Sequence, residues 1–390
     1  MTTQLLGHGL AADARDSAEG LALYIHWPFC VSKCPYCDFN SHVRESIDQL
    51  AWREALLADL AHEAGLTQGQ RLGSIFFGGG TPSLMAPATV EALIDAAARH
   101  WRFAPDIEIT LEANPSSVEA SRFADLSRAG INRLSLGLQS LDDAALRFLG
   151  RAHDSAEGLA ALEVAQHQFD RVSFDLIYAL PGQTAADWHE QLLRALGFGT
   201  GHLSLYQLTI EPGTRFAALA AKGELPCADP DHAATLFERT QAVTAAAGLP
   251  AYEISNHARP GEESRHNLAY WRYQPYCGIG PGAHGRRDGR TTLRHKKPEN
   301  WLAAMARSGH GIAEENPLSA KQRATEAMLM GLRLAEGVDL DRIAEDSVDD
   351  ARIAALQDQG LLLREGSRLR VTARGMLLLD SILGEIIRLD

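Results

Sequence analysis

Three cysteines lie close together near the start of the chain, at Cys30, Cys34 and Cys37. Thiolates are the protein ligands of iron–sulfur clusters, and three of them leave one iron of a four-iron cluster without a protein ligand. An open coordination position is what a reactive metal site needs, as in catalytic zinc sites. The spacing Cys-x3-Cys-x2-Cys therefore favours a [4Fe–4S] site that binds a further ligand.

Two other interpretations of these cysteines stay open at this point. A structural zinc site uses four ligands, usually from two separated pairs, so a Cys3His site would need His26 or His42. The three residues would otherwise be ordinary core cysteines. The remaining cysteines, Cys227 and Cys277, are isolated and are interpreted as small packing residues.

Composition narrows the class of protein. The chain has 390 residues, of which 45% are apolar and 22% charged, and its formal net charge is −13. An acidic chain argues against nucleic acid as the main partner, because phosphate binding needs clustered Lys and Arg. No apolar run is long enough to span a bilayer, and the first twenty residues lack a secretory signal. We expect a cytoplasmic protein with reduced thiols.

Short runs of β-branched and aromatic residues alternate with amphipathic stretches from residue 21 onward, which is typical of βα units. The predicted strands are Leu21–Trp27, Leu72–Phe77, Ile107–Glu112, Arg133–Leu138, Val172–Tyr178 and Leu203–Ile210. The predicted helices are Leu50–Ala64, Val118–Ala129, His153–Gln168, Ala185–Leu196 and Asp231–Ala247. Six units in about 230 residues suit a partial (β/α)6 TIM-like barrel. A doubly wound sheet is the alternative, but no glycine-rich dinucleotide fingerprint follows the first strand.

The rest of the chain divides by pattern. We predict a poorly ordered tail at 1–20, the barrel at 21–250, a loop-rich connector at 251–317 and a C-terminal domain at 318–390. Gly248–Arg294 is predicted as long loops and Pro298–Asn316 as a linker. The C-terminal pattern is helices, two short strands and a helix, as in a winged helix: Ala320–Leu334, Leu340–Ala344, Asp350–Gln359, Leu361–Arg364, Arg368–Val371 and Ala373–Leu389. Its ten basic and thirteen acidic residues favour a packing or lid role over DNA binding.

Unusual motifs follow the predicted strands, where parallel barrels place their functional groups. After the cysteines come Gly78-Gly-Gly-Thr-Pro-Ser83, Glu112-Ala-Asn-Pro115, Gly137-Leu-Gln-Ser140 and Asp175-Leu-Ile-Tyr-Ala-Leu-Pro-Gly. The glycines let a ligand approach the backbone closely, and no Gly-Lys-Ser/Thr follows them to make a P-loop. Glu112, Gln139 and Asp175 suit hydroxyls or an ammonium, and Arg151 suits a carboxylate. Each alone has a structural explanation; together they predict a pocket for a nucleoside and an amino acid.

Two later motifs need separate interpretations. Gly280-Pro-Gly-Ala-His-Gly285 matches G-x-G-x-x-G but follows no predicted strand, so we reject a dinucleotide site. His266-Asn-Leu-Ala-Tyr-Trp271 contains either a packed core histidine or an axial ligand to haem iron flanked by aromatic rings. His257 and His284 are lesser candidates for that ligand.

These motifs resemble those of the HemN/HemW family of radical S-adenosylmethionine (SAM) proteins, from about residue 21 to the end of the chain. The resemblance rests on Tyr24-Ile-His-Trp-Pro-Phe-Cys, Leu149-Gly-Arg-Ala-His153 and the glycine, Gln and Asp motifs above. It implies a partial barrel with a [4Fe–4S] cluster on the cysteine triplet, whose fourth iron binds the methionine part of SAM. The SAM contacts that it implies are Tyr24, Tyr36, Gly79, Gly80, Thr81, Glu112, Gln139, Arg151 and Asp175.

Two activities occur in this family: oxygen-independent coproporphyrinogen III oxidation and haem chaperoning. The oxidase has a further cysteine where this chain has Phe39, and it has a longer N-terminal extension. The segment His266-Asn-Leu-Ala-Tyr-Trp271 looks like the H-N-x-x-Y-W haem motif of the chaperones, which implies haem contacts at His266, Asn267, Tyr270 and Trp271. We therefore expect a haem chaperone that serves haem-requiring apoproteins, among them respiratory membrane proteins. The oxidase is the alternative, and whether SAM is turned over stays open.

Overall fold

The computed structural model describes residues 20–226, 229–344 and 347–388. Its strands are β1 (Leu21–Trp27), β2 (Phe29–Cys30), β3 (His42–Val43), β4 (Arg71–Gly79), β5 (Arg102–Ala113), β6 (Arg133–Gln139), β7 (Arg171–Tyr178), β8 (His202–Gln207), β9 (Asn256–Ala258), β10 (Tyr276–Ile279), β11 (His284–Arg287), β12 (Arg290–Arg294), β13 (Ile312–Pro317), β14 (Val338–Asp339), β15 (Leu362–Glu365) and β16 (Arg368–Val371). The predicted tail and Cys227 lie outside the described residues.

Helices alternate with these strands through the first part of the chain. They are α1 (Gln49–Leu66), α2 (Pro87–His100), α3 (Ser117–Ala120), α4 (Phe123–Arg128), α5 (Asp143–Phe148), α6 (Ser155–Gln168), α7 (Ala185–Leu196), α8 (Arg215–Ala221), α9 (Pro230–Ala246), α10 (Arg265–Trp271), α11 (Pro298–Ser308), α12 (Ala320–Gly331), α13 (Asp350–Asp358), α14 (Ala373–Met376) and α15 (Leu379–Ile386). Short 3-10 turns in the described parts of the chain include Pro82–Leu84 and Leu340–Arg342.

The largest sheet among the described residues runs β13-β12-β11-β10-β1-β4-β5-β6-β7-β8-β9. Its strands β1, β4, β5, β6, β7 and β8 are parallel and follow one another in chain order. A doubly wound sheet would instead reverse its strand order at a switch point. The predicted partial (β/α)6 barrel is confirmed, and β9 pairs antiparallel with the last barrel strand.

The two faces of the barrel strands differ because side chains alternate along a strand. On β1, Leu23, Ile25 and Trp27 are fully buried in the hydrophobic core, which also includes Leu56 and Leu60 of α1. The opposite face of the barrel strands carries polar and aromatic side chains, such as Tyr24 and His26 on β1. These side chains form the interior of the barrel. The sequence pattern therefore builds an apolar shell around a polar interior.

Most predicted elements agree with the structure within a few residues, and β1, β16 and α7 match exactly. The predicted helix Val118–Ala129 is divided into α3 and α4, and it ends before Gly130, whose φ is 107°. Helix α2 was missed altogether. It begins with Pro87 in its first turn, where proline fits well because the first N–H groups have no helical partner.

The prediction of loops for Gly248–Arg294 was wrong, since this segment contains β9, α10, β10, β11 and β12. The linker Pro298–Asn316 likewise contains α11 and most of β13. These strands are short and lack a local period, and they form because they pair at the edges of the barrel sheet. Strand β10 pairs in parallel with β1, with Leu23 opposite Cys277. The division into domains at residues 20, 250 and 317 stays a prediction.

The C-terminal segment has its own small sheet, β14-β16-β15, and a separate hydrophobic core. That core includes Met328, Leu332, Ile353, Leu369 and Leu383. The predicted helix at 340–344 is a 3-10 turn, and the predicted final helix breaks into α14 and α15. Helices with a small hairpin match the predicted winged-helix-like form.

Candidate functional site

The three clustered cysteines lie at or after β2, and their thiols are free and half-buried. Each thiol has a polar neighbour: Thr81 Oγ1 donates to Cys30 Sγ (3.5 Å), Arg151 Nη1 donates to Cys34 Sγ (3.4 Å), and Ser41 Oγ lies 4.0 Å from Cys37 Sγ. Donors of this kind stabilise thiolates and tune thiolate-bound metal clusters. This donor set fits an iron–sulfur cluster. In the described parts of the chain, no three His, Cys, Asp or Glu side chains converge tightly enough for a single metal ion.

A chain of hydrogen bonds fastens the cysteine loop to the first barrel strand. The Tyr24 hydroxyl lies 3.0 Å from His26 Nδ1, and His26 Nε2 lies 3.0 Å from the carbonyl oxygen of Asn40. Asn40 Nδ2 also donates to the carbonyl oxygens of Pro281 and Lys296, both at 2.9 Å. Burial lowers the pKa of His26 to about 4, so the ring is neutral at pH 7.

The rejected G-x-G-x-x-G match has a structural explanation. Gly280 has a φ of 91°, and a Cβ atom there would lie 2.3 Å from the His26 carbonyl oxygen. Gly282 would bring a Cβ atom within 2.4 Å of Asn40 Nδ2. These glycines let the polypeptide pass directly beneath the cysteine loop, and no nucleotide is needed to account for them.

The glycine triplet after β4 lies against the first strand in the same way. Gly80 N donates to the Trp27 carbonyl oxygen (2.7 Å), and a Cβ atom at Gly80 would lie 2.6 Å from Phe29 O. Gly79 has a φ of 114° and donates its N–H to Glu112 Oε2 (3.3 Å). Gly79 also leaves room for the His26 ring, which a Cβ atom at Gly79 would meet at 2.6 Å.

Two predicted SAM contacts are carboxyls in the barrel interior. Burial, together with the neighbouring Asp175, raises the pKa of Glu112 to about 8. Burial also raises the pKa of Asp175 to about 6, against the opposing effect of hydrogen bonds from Ser204 and Ser135. Glu112 forms no salt bridge with any described residue. A cationic or hydroxyl-bearing ligand would supply the partner that this pair lacks.

The Arg151 side chain contacts both the cysteine loop and the ends of the barrel strands. Its Nη2 donates to Asn114 Oδ1 (2.7 Å) and to the Gly137 carbonyl oxygen (2.9 Å), while Nε is buried without a described partner. Gln139 ends β6 with a φ of 68°, in the left-handed region. Tyr36 lies beside Arg151 and Cys34, and burial raises its pKa. Asn114 was not predicted as a site residue, although its position directly after β5 could have indicated one.

Helix α10 carries the predicted haem motif, and a buried carboxylate fixes its start. Glu108 accepts the backbone N–H groups of Arg265 (3.2 Å) and His266 (3.1 Å) and a hydrogen bond from Arg171 Nη1 (2.8 Å). Burial alone would raise the pKa of Glu108, but Arg133 and Arg171 hold it below its usual value. Sequence reasoning missed this residue.

His266 is only 1% exposed, and both ring nitrogens have partners. Nδ1 lies 2.9 Å from Ser74 Oγ and Nε2 lies 2.9 Å from the Tyr270 hydroxyl. The ring also stacks on Phe76 with a centroid distance of 4.9 Å, and burial lowers its pKa to about 3. In this conformation neither nitrogen is free to bind iron.

The other three residues of the motif, Asn267, Tyr270 and Trp271, line a cavity of about 350 Å³. A second cavity of about 520 Å³ shares Tyr206 and Ser255 with it. We call these together the lateral cleft. It lies along the upper part of β8, between the barrel and the C-terminal segment.

The lesser histidine candidates lie elsewhere. His257 is buried, with Nδ1 2.9 Å from Thr244 Oγ1, and His284 is exposed on β11. Neither residue lines the lateral cleft. Of the helices in the described residues, none has the length and apolar character needed to cross a membrane.

Comparison with known proteins places this site in a family. Residues 24–194 match the radical SAM superfamily and residues 318–378 match the HemN C-terminal domain. The chain is 40% identical over 386 residues to "Radical S-adenosyl methionine domain-containing protein 1, mitochondrial" of Bos taurus, covering 94% of this chain and 87% of the relative. It is 37% identical over 378 residues to "Heme chaperone HemW" of Escherichia coli, covering 93% of this chain and 97% of the relative.

A solved structure supports the fold over nearly the whole length. The coproporphyrinogen III oxidase (HemN) of Escherichia coli superposes with a TM-score of 0.78 at 24% identity, covering 96% of this chain and 93% of that one. At this identity the likeness concerns the fold alone. Together with the two domain matches and the relatives of similar length, these findings show that the chain belongs to the HemN/HemW family of the radical SAM superfamily.

Proposed function

We propose that the protein is a haem chaperone, which binds haem and passes it to haem-requiring apoproteins. The observation that carries this proposal is the position of Asn267, Tyr270 and Trp271 along one wall of the lateral cleft. Aromatic walls around a few polar groups are typical of sites for flat apolar ligands. Relatives of nearly the same length that are named haem chaperones support the proposal.

We further propose that Cys30, Cys34 and Cys37 hold a [4Fe–4S] cluster and that the barrel mouth binds SAM. A reduced cluster held by these residues would supply an electron for reductive cleavage of the sulfonium of SAM. Backbone groups from Gly79 to Thr81 would lie along the methionine part of the ligand, since Gly79 and Gly80 have no side chain of their own. Glu112 would accept its ammonium group, and Asp175 the ribose hydroxyls.

Arg151 and Tyr24 have positioning roles in this proposal. Arg151 joins a cluster thiol to the strand ends through Cys34, Asn114 and Gly137. Tyr24 acts through His26, which holds the cysteine loop by the Asn40 carbonyl. Tyr36 and Gln139 complete the proposed SAM surroundings.

Haem titration followed by transfer tests the chaperone function. We expect the anaerobically prepared protein to bind ferric haem at one site per chain, with a shifted Soret band. Added apomyoglobin, as a model acceptor, should take up that haem faster than it takes up haem released from serum albumin. Absence of stoichiometric binding would contradict the proposal.

The oxidase alternative is tested by an anaerobic porphyrinogen assay with SAM and a reductant. We expect no conversion of coproporphyrinogen III to protoporphyrinogen IX, because Phe39 occupies the position of the further cysteine of the oxidase. Sustained conversion would replace the chaperone by the oxidase.

Elemental analysis of the anaerobically purified protein tests the cluster. We expect about four iron and four sulfide per chain, as for a [4Fe–4S] cluster. Cys34→Ala should lose most of both, while Cys277→Ala, which changes a buried cysteine outside the loop, should retain them. One zinc and no sulfide would support the zinc alternative.

A further inference from the structure

We propose that Asn114 is a positioning residue for the iron–sulfur cluster: its side-chain amide directs the hydroxyl proton of Thr81 to the Cys30 thiolate and thereby raises the reduction potential of the cluster. This inference rests on the proposed [4Fe–4S] cluster and identifies a residue of this chain that sets its potential. Asn114 itself touches no thiol and acts through its neighbours.

Asn114 lies between the side chains that donate to two of the clustered thiols. Its Oδ1 accepts a hydrogen bond from Arg151 Nη2 at 2.7 Å, and its Nδ2 donates to Thr81 Oγ1 at 3.1 Å. Thr81 Oγ1 in turn donates to Cys30 Sγ at 3.5 Å. Arg151 Nη1 donates to Cys34 Sγ at 3.4 Å. A continuous chain of hydrogen bonds therefore joins the two thiols through one amide.

The direction of each hydrogen bond in this chain follows from Arg151. A guanidinium has donors and no acceptor, so the amide atom of Asn114 that faces it must be the oxygen. The amide nitrogen then faces Thr81, whose oxygen has to accept from it. A hydroxyl has a single proton, and with one lone pair of Thr81 Oγ1 engaged by Asn114, that proton is directed to Cys30 Sγ.

Buried contacts hold Asn114 in this place. Its backbone N–H donates to Glu119 Oε2 at 2.8 Å, and the same oxygen accepts the hydroxyl hydrogen bond of Ser83. Both Glu119 and Ser83 are buried, and Ser83 belongs to the glycine turn that follows β4. Glu119 thus ties the turn after β4 to the turn after β5, and the amide of Asn114 meets Thr81 in a fixed direction.

A donor to a cluster thiolate changes how readily the cluster takes up an electron. The reduced cluster carries one more negative charge than the oxidised cluster, so a hydrogen bond to its sulfur stabilises the reduced form and raises the reduction potential. Thr81 is only 3% exposed, and water is a poor substitute for its hydroxyl at such a buried position. The orientation that Asn114 gives to this hydroxyl is therefore expected to be measurable as a potential.

The test is an anaerobic redox titration of the cluster-loaded full chain without SAM, followed by electron paramagnetic resonance of the reduced cluster. Asn114→Leu keeps the approximate size of the side chain and removes both amide contacts. It should make reduction about tenfold less favourable, a shift of about 59 mV to lower potential for one electron. Asn114→Asp should shift the potential in the same direction, because a carboxylate accepts the Thr81 O–H that otherwise reaches Cys30.

Asn132→Leu is the matched control. Asn132 also bonds β5 with both ends of its amide, accepting from Ile109 N and donating to the Ile107 carbonyl oxygen, both at 2.8 Å. These contacts lie away from the carboxyl end of the strand, so the potential of this variant should equal that of the wild type.

A double variant shows whether the effect passes through Thr81. Thr81→Val removes the hydroxyl at nearly constant size and should lower the potential by a similar amount. Adding Asn114→Leu to Thr81→Val should then change the potential little, because the hydroxyl that the amide directs is already absent. Additive shifts would overturn the assignment of Thr81 as the route.

Other results would overturn the role of Asn114 altogether. Potentials of Asn114→Leu and Asn114→Asp equal to that of Asn132→Leu would remove it. Loss of the cluster from both Asn114 variants, while Thr81→Val retains it, would make Asn114 a structural residue of the turn. A wild type that holds no iron and sulfide would instead refute the proposed cluster itself, so the two failures are distinguishable.

Discussion

Glu112→Gln is expected to stabilise the SAM-free protein, although it removes a proposed ligand-binding carboxyl. The pKa of Glu112 is raised to about 8 from an ordinary value of 4.5, because burial and Asp175 disfavour its charged form. At low pH, where Glu112 is protonated in both the folded and the unfolded protein, its raised pKa costs no folding free energy. Its contribution is lost progressively as the pH rises from the unfolded toward the folded pKa.

The size of the effect follows from these two values. Each pH unit between them removes about 1.4 kcal/mol of folding free energy, so the loss at about pH 7 is roughly 3 kcal/mol. Glutamine does not titrate and can still accept the N–H of Gly79. The advantage of Glu112→Gln over wild type should therefore grow by roughly 2.5 kcal/mol between about pH 5 and about pH 7.

Urea unfolding of the SAM-free protein at the two pH values measures this difference. Glu108→Gln is the matched control, since Glu108 is buried on the same strand but its pKa is held low by two arginines. Loss of that charge should destabilise the protein by about 3 kcal/mol or more near pH 7, the cost of breaking a buried ion pair. A pH-independent or destabilising effect of Glu112→Gln would refute the reasoning about the barrel carboxyls.

Three further predictions concern the scaffold. Arg294→Met leaves the buried Asp59 without an ion-pair partner and Glu63 with Arg287 alone, so urea unfolding should show a loss of roughly 3–5 kcal/mol. A smaller loss would mean that the site admits water. Gly280→Ala places a methyl group against the His26 carbonyl oxygen and should lower the amount of iron bound per chain. The control Gly248→Ala, also at positive φ but in open space, should keep it, and equal iron contents in the two variants would contradict a clash at Gly280. Arg151→Lys keeps the charge but not the planar fork, so equilibrium dialysis should show about tenfold weaker SAM binding; unchanged affinity would remove that role.

The barrel and much of its mouth were predictable because their signals are local. Strands such as β1 and β7 are rich in apolar, β-branched and aromatic residues, and a proline follows each of them within three residues. The position at a strand end was enough to select Glu112 and Asp175. Their shifted pKa values depend on burial within the folded partial barrel, which no local pattern reports.

Residues held by distant parts of the chain could not be predicted. Glu108 contacts His266 across 158 positions, and Asn40 contacts Pro281 across 241. In the sequence Arg286 looks like an ordinary strand arginine, and only the folded chain shows that it is buried, with no carboxylate of a described residue within 4.0 Å. The role of His266 was also a question of packing, since a sequence motif does not tell which of its side chains faces a cavity.

The pairing of β10 with β1 has a consequence for biosynthesis. Leu23 pairs with Cys277. At ordinary translation rates, one edge of the first strand therefore stays unpaired for roughly 10–50 seconds until its neighbour is synthesised. An unpaired strand edge on a nascent chain is prone to aggregation, and ribosome-associated chaperones would shield it. The cysteine loop receives its anchors from Pro281 and Lys296 still later. Loading of a metal cluster is therefore expected to follow release of most of the chain from the ribosome.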